Sequence, residues 1–132
     1  MNNTYFAPQL YIKRGTFDIS FYMKAFDAVE LRRFPNEDGS IHVAELSIHG
    51  ALFHLHEETS RPNAFSPEKN NGTTVKIGLF VPDVDRVMNA AVAAGAQIIT
   101  QAQDYDYGYR QGEIMDPFGH HWMIEKKIGV SF

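Results

Sequence analysis

No cysteine occurs among the 132 residues. Disulfide frameworks, cysteine-based zinc sites and thiol nucleophiles are therefore excluded. No apolar run approaches the roughly 20 residues that a helix needs to cross a bilayer. The opening stretch, Met1 to Pro8, has neither the basic nor the apolar segment of a secretory signal. The expectation is a cytoplasmic protein with no membrane partner. An excess of positive charge is missing as well. The net charge is −4, with acids and bases interspersed, which argues against a nucleic-acid partner whose phosphates need a basic patch. There is no GxSxG elbow, no P-loop and no GxGxxG, so nucleophilic serine chemistry and nucleotide chemistry have no motif to rest on.

What is present is ordinary in amount and specific in pattern. Hydrophobic residues make up 44% and charged residues 21%, enough for one domain with a real core. Ten Phe and six Tyr raise the aromatic share to 13%, which fills a core or lines a ring-walled pocket.

The chain repeats itself. Leu10 to Lys13 reads as a strand, and Phe17 to Phe26 spaces its apolar residues as an amphipathic helix. Ala28 to Leu31 reads as a second strand. In the second half, Val75 to Val81 is a strand. Asp83 can cap a helix over Val84 to Ala94, Gly95 can end it, and Ala96 to Ile99 follows as a strand. A shift of 68 places Asp27 on Gly95, Ala28 on Ala96 and Glu45 on Glu113; a shift of 69 places Gly50 on Gly119. Two further strands close each half: Ile41 to Ile48 and Leu52 to Glu57 in the first, Gly108 to Met115 and His121 to Lys126 in the second. Turn signals punctuate them at Asn36-Glu37-Asp38-Gly39 and Asp116-Pro117-Phe118-Gly119. The stretch 58–72 is polar with two prolines and reads as the connector. The pattern predicts one α+β domain over 1–132: a βαβββ module at about 8–57, a connector at 58–73 and a second module at about 74–127.

The run Tyr107-Gly108-Tyr109-Arg110-Gln111-Gly112-Glu113-Ile114-Met115-Asp116-Pro117-Phe118-Gly119-His120-His121-Trp122 resembles the YGxRxGxxxDPFGHxW signature of PhnB-like proteins, a branch of the vicinal-oxygen-chelate superfamily of glyoxalases, bleomycin-resistance proteins and extradiol dioxygenases. His42 to Leu46, Phe21-Tyr22 with Phe26 to Ala28, and Val81 to Asp85 with Ala93 to Ala96 are similar to other stretches of that branch. The resemblance runs in register from about Leu10 to Lys127. It implies two βαβββ modules forming a curved eight-stranded mixed sheet around a cavity, and a homodimer with the cavity at a module or subunit junction. In the enzymes of the group it also implies a divalent metal (Zn, Mg, Mn, Ni or Fe) acting as a Lewis acid on two vicinal oxygens.

The metal positions implied by the resemblance lie on the first and last strand of each module. Here they fall near Ala7 or Gln9, on His54, near Val75 or Lys76, and on Met123, and only His54 is a good ligand. His54 and His56 share a strand face, as do Met123 and Glu125. The set His54, His56 and Glu125 therefore forms if the two last strands meet in the cavity. His120 and His121 are adjacent and face opposite sides. Glu45 and Glu113 are repeat-related and pair with an arginine or backbone donors, or act as an acid/base pair. Arg110 offers a fork for a carboxylate or phosphate, or an ion pair with Glu45. Tyr105, Tyr107 and Tyr109 alternate along one face. With Phe53, Phe80 and Trp122 they wall a pocket for a flat or apolar ligand, or pack a core.

The leading expectation is a PhnB-like homodimer that binds a small organic molecule through Phe53, Phe80, Tyr107, Tyr109, Arg110 and Trp122. One alternative is a metal-dependent lyase, isomerase or dioxygenase. A second is a resistance protein that sequesters an aromatic antibiotic. The methyltransferase label often attached to PhnB-like proteins is not carried over, because no Gly-rich loop suits S-adenosylmethionine.

Overall fold

The structure is a computed structural model that describes residues 3–129. Its strands are β1 (Gln9–Ile12), β2 (Val29–Pro35), β3 (Ile41–Ile48), β4 (Ala51–Glu57), β5 (Lys76–Phe80), β6 (Gln97–Tyr105), β7 (Tyr109–Met115) and β8 (His121–Lys127). The helices are α1 (Phe21–Phe26), α2 (Pro67–Asn70) and α3 (Val84–Ala93). The two halves repeat one topology. The eight strands hydrogen-bond as two sets of four, ordered β1-β4-β3-β2 and β5-β8-β7-β6. In each set the first strand runs parallel to the fourth and the others pair antiparallel. The expected α+β fold of paired βαβββ modules is present, with the ladder interrupted between the halves.

Local chemistry explains where elements begin and end. The first helix was expected from Phe17 but starts at Phe21, because the Asp18 carboxylate accepts the Ser20 N–H at 2.9 Å and holds the chain in a turn. Asp27 ends this helix with φ 57, in the left-handed region that the repeat pairs with Gly95. Asp83 caps α3 as expected by accepting the Arg86 N–H at 3.1 Å. The connector holds a helix that the sequence reading did not include. Ser66 accepts from Lys69 N–H and Pro67 takes the first helical position. The β3–β4 hairpin turns on His49 (φ 49) and Gly50 (φ 94), the two positive φ values that a type I′ turn requires.

One hydrophobic cluster spans both halves. Tyr22 and Phe26 of α1 meet Phe53 of β4 and Trp122 of β8. The Tyr22–Phe53 centroids lie 5.2 Å apart, Phe26–Trp122 4.8 Å and Phe53–Trp122 5.7 Å. Asp116 lies at the cluster's edge, buried. It accepts the Tyr22 hydroxyl at 2.6 Å, Trp122 Nε1–H at 2.9 Å and the backbone N–H groups of Phe118 and His120 at 2.8 and 3.1 Å. Burial first, and then the Asp116 charge, raises the Tyr22 phenol well above its ordinary pKa, so it stays a donor. His120 Nε2 lies 2.7 Å from the Tyr11 carbonyl and ties the second half to the first. Among the described residues, no helix is long and apolar enough to cross a membrane.

Candidate functional site

Each sheet buries one face in this core and leaves the other open. Along β4, Phe53, Leu55 and Glu57 are buried while Leu52, His54 and His56 are half-exposed. Along β8 the buried Trp122 and Ile124 alternate with His121 and Met123. Strand register then sets the open face of the second sheet in rows across β5, β8, β7 and β6. Lys76, His121, Met115 and Gln97 form one row. Gly78, Met123, Glu113 and Thr100 form the next. Phe80, Glu125, Gln111 and Gln103 form the third, and Lys127, Tyr109 and Tyr105 the last.

The lower rows make a ring-walled shelf around a polar relay. Phe80 and Tyr109 meet edge-on at 6.0 Å, Tyr107 and Tyr109 lie 5.7 Å apart, and Tyr105 stacks on Tyr107 at 5.2 Å and 18°. Phe80 is 54% exposed and Tyr107 47%, so these rings present apolar surface outward. The Tyr107 hydroxyl donates to Gln111 Oε1, and Gln111 Nε2 donates to Glu125 Oε1 at 2.7 Å. Partial desolvation, then the nearby Tyr105 and Glu125, hold the Tyr107 phenol above its ordinary pKa.

The upper rows hold a charge cluster. Buried Glu113 accepts from Lys76 Nζ at 2.8 Å and lies 2.7 Å from His121 Nδ1. Burial alone would raise its pKa; the bonds from His121 and Lys76 outweigh that and leave it below the ordinary glutamate value. In the first half Glu57, on the face of β4 opposite His54 and His56, is bonded to His42 at 2.9 Å and to Asn36 at 3.1 Å, and those bonds outweigh its burial and lower its pKa. The sequence reading missed the His121–Glu113 pair. The signal was in the hairpin register, which sets His121 against Met115 and thus diagonal to Glu113.

Several expected site residues lie elsewhere. Phe53 and Trp122 are 3% and 1% exposed and belong to the core, because alternation brings the buried face of each last strand inward. Neither borders the two hollows at the seam between the halves. Arg110 lies on the face that carries Ile114 and Trp122, beside α3, and is held by Asp85 at 2.8 Å and Asp104 at 2.9 Å, not by Glu45. Those two carboxylates raise its pKa further and occupy its fork. Two hollows, of about 690 and 740 Å³, open at the seam between the halves. Phe80 borders the larger, and none of Tyr107, Tyr109, His54 and His56 lines either.

A family model described as the Glyoxalase/Bleomycin resistance protein/Dioxygenase superfamily matches residues 18–124. The chain belongs to this superfamily. Uncharacterized proteins of Mycobacterium bovis and Mycobacterium tuberculosis are each 38% identical over 125 residues, covering 92% of this chain and 82% and 74% of theirs. Among solved structures, a gene product of Arabidopsis thaliana is 26% identical, with a TM-score of 0.69, covering 92% of this chain and 97% of that one. TioX from a Micromonospora species is 25% identical with a TM-score of 0.67, covering 96% and 98%. A fosfomycin resistance protein, FosX, of Listeria monocytogenes shares the fold at 16% identity, with a TM-score of 0.67 and coverage of 96% and 94%.

Superfamily members often use a divalent metal, and the residues at the corresponding positions here do not fit one. Gln9 pairs with His54 on β1 and β4, and Gly78, rather than Val75 or Lys76, pairs with Met123 on β5 and β8. Those four positions offer one imidazole, one amide, a bare backbone and a thioether, which do not suit a hard or borderline dication. His54 and His56 lie on the first sheet and Glu125 on the second. Among the described residues, no group of three His, Asp or Glu side chains comes together in a way that could hold a metal. The set His54, His56 and Glu125 is thus not assembled within one chain, because the two last strands meet through their buried faces.

Proposed function

We propose that this chain is a PhnB-like member of the superfamily that works as a homodimer and binds a small organic molecule on the open face of its second sheet. The observation that carries the reading is the shelf itself. Phe80 and Tyr109 project rings from the sheet and Tyr107 projects one from the β6–β7 turn, around a shared polar chain, and two of these rings are about half exposed. Rings supply apolar area, and the Tyr107–Gln111–Glu125 relay supplies oriented polar atoms, the usual composition of a ligand site.

A second copy that covers the face turns the shelf into a cavity. The outer strands support such an assembly. Val29 and Leu31 of β2 are 58% and 52% exposed, and Ile98 and Ile99 of β6 are 39% and 46% exposed. Apolar side chains on open edge strands are an association surface.

A thermal-shift screen of planar aromatic compounds tests the binding, since a ligand specific for the folded state raises Tm by mass action. Hits are expected, and they are expected to vanish in Tyr109→Ala while His54→Ala keeps them. A panel with no hits, or hits indifferent to Tyr109, would remove the reading. Sedimentation equilibrium should give twice the chain mass, and Leu31→Lys should shift it toward one.

A further inference from the structure

We infer that the open face of the second sheet selects a planar organic cation, with Glu125 Oε2 as its counter-charge. This rests on the ligand-binding reading above and adds the chemical class of the ligand.

Glu125 is 8% exposed, so its carboxylate has lost most of its water. Oε1 is occupied by Gln111 Nε2, and the Tyr107 hydroxyl fixes which end of the Gln111 amide faces Glu125. Oε2 accepts no hydrogen bond from any described residue. Yet none of the described buried side-chain nitrogen or oxygen atoms lacks a partner, so Oε2 is not sealed from solvent. Gly78 makes the room: a Cβ at that position would lie 2.5 Å from Oε2. Alanine or anything larger would push the carboxylate away.

Three of the four basic side chains around Glu125 are committed elsewhere. Lys76, on the same face, is bonded to Glu113 at 2.8 Å. Lys126, on the opposite face, donates to the Pro82 carbonyl at 3.4 Å. His121 is held by Glu113 at 2.7 Å. Lys127 is exposed, two residues along the strand, and makes no ion pair with Glu125. A mostly buried carboxylate without a cation is costly, and a ligand that brings the cation removes that cost. The neighbouring walls favour the same charge. Phe80 lies across the strand from Glu125, Tyr109 meets Phe80 edge-on, and ring faces attract cations. An amidinium or protonated arylamine fits best, because its N–H groups can donate to Oε2 while its ring packs on the shelf.

Three nearly isosteric probes separate the possibilities: benzamidine (a cation at neutral pH), benzamide (neutral) and benzoate (an anion). Their binding to the full-length protein is measured by chemical-shift titration, which also reports whether each variant is folded. Benzamidine is expected to bind roughly tenfold or more tightly than benzamide, with benzoate weaker than both. Glu125→Gln keeps the size and the bond to Gln111, and it should bring benzamidine down to the level of benzamide. Gly78→Ala should weaken benzamidine selectively. Equal binding of benzamidine and benzamide, or a preference that survives Glu125→Gln, would overturn the cation inference and leave the aromatic shelf standing as a site. Failure of all three probes to bind would count against the shelf itself.

Discussion

Replacing Asp116 by asparagine changes one atom in the most heavily used side chain of the structure. Its two oxygens accept four hydrogen bonds, from the Tyr22 hydroxyl, Trp122 Nε1–H and the backbone N–H groups of Phe118 and His120. In the asparagine variant the remaining oxygen stays on the two backbone donors, and the new NH₂ faces Tyr22 and Trp122. The phenol rotates and accepts. The indole has no lone pair to offer, so two N–H groups face each other in a site where Trp122 is 1% exposed. A lost bond to a charged acceptor with a buried donor left unmatched costs about 2–3 kcal/mol. That is a large part of the roughly 5–15 kcal/mol of a domain's stability. Urea unfolding reads it as a lower midpoint at unchanged slope. In a Trp122→Phe background the clashing donor is gone, and the same substitution should cost about 1–2 kcal/mol less. A cost below roughly 0.5 kcal/mol, or the same cost in both backgrounds, would refute the assignment of Asp116 as the hub.

Three further outcomes are expected. Gly112→Ala places a methyl 2.7 Å from Met88 Cε and 3.2 Å from the Ala102 backbone, and should destabilise by about 1–3 kcal/mol in the same assay. Glu57 and Glu113 have folded pKa values below the ordinary 4.5, so their stabilisation is complete above that value and is lost as pH falls through the lower folded values. Glu113→Gln should therefore flatten the acid limb of stability against pH, and an unchanged limb would contradict the Lys76–Glu113–His121 cluster. Metal analysis of the dialysed protein and of His54→Ala should give the same content. A stoichiometric divalent ion lost in the variant would show that His54 finds ligands outside its own chain.

The doubled βαβββ pattern was legible because local signals agreed with it. Asp83 and Gly95 bracket α3, the Asp116 turn precedes β8, and Ile41 to Ile48 has the bounds that the structure gives β3. The site was less legible. Alternation along β4 and β8 says that Phe53 and His54 face opposite ways, but it does not say which face is inside. The rings were assigned to the pocket and proved to be the core. Arg110 was misread because its partners, Asp85 and Asp104, come from α3 and from β6, whose register shifts twice at irregularities that composition does not reveal. Of the rings that sequence offered as pocket wall or core, Phe80 and Tyr107 are about half exposed and Tyr109 is partly buried. Glu125 was expected beside two histidines and instead joins Gln111, since only cross-strand register could bring them together.

The most direct test of the ligand shelf is a backbone amide chemical-shift map of the protein titrated with an aromatic ligand found in the thermal-shift screen. The account predicts perturbations centred on Gly78, Phe80, Tyr107, Tyr109, Gln111 and Glu125. Perturbations confined to the seam hollows, whose lining includes Gly78 and Phe80, with the amides of Tyr107, Tyr109, Gln111 and Glu125 unmoved, would contradict it.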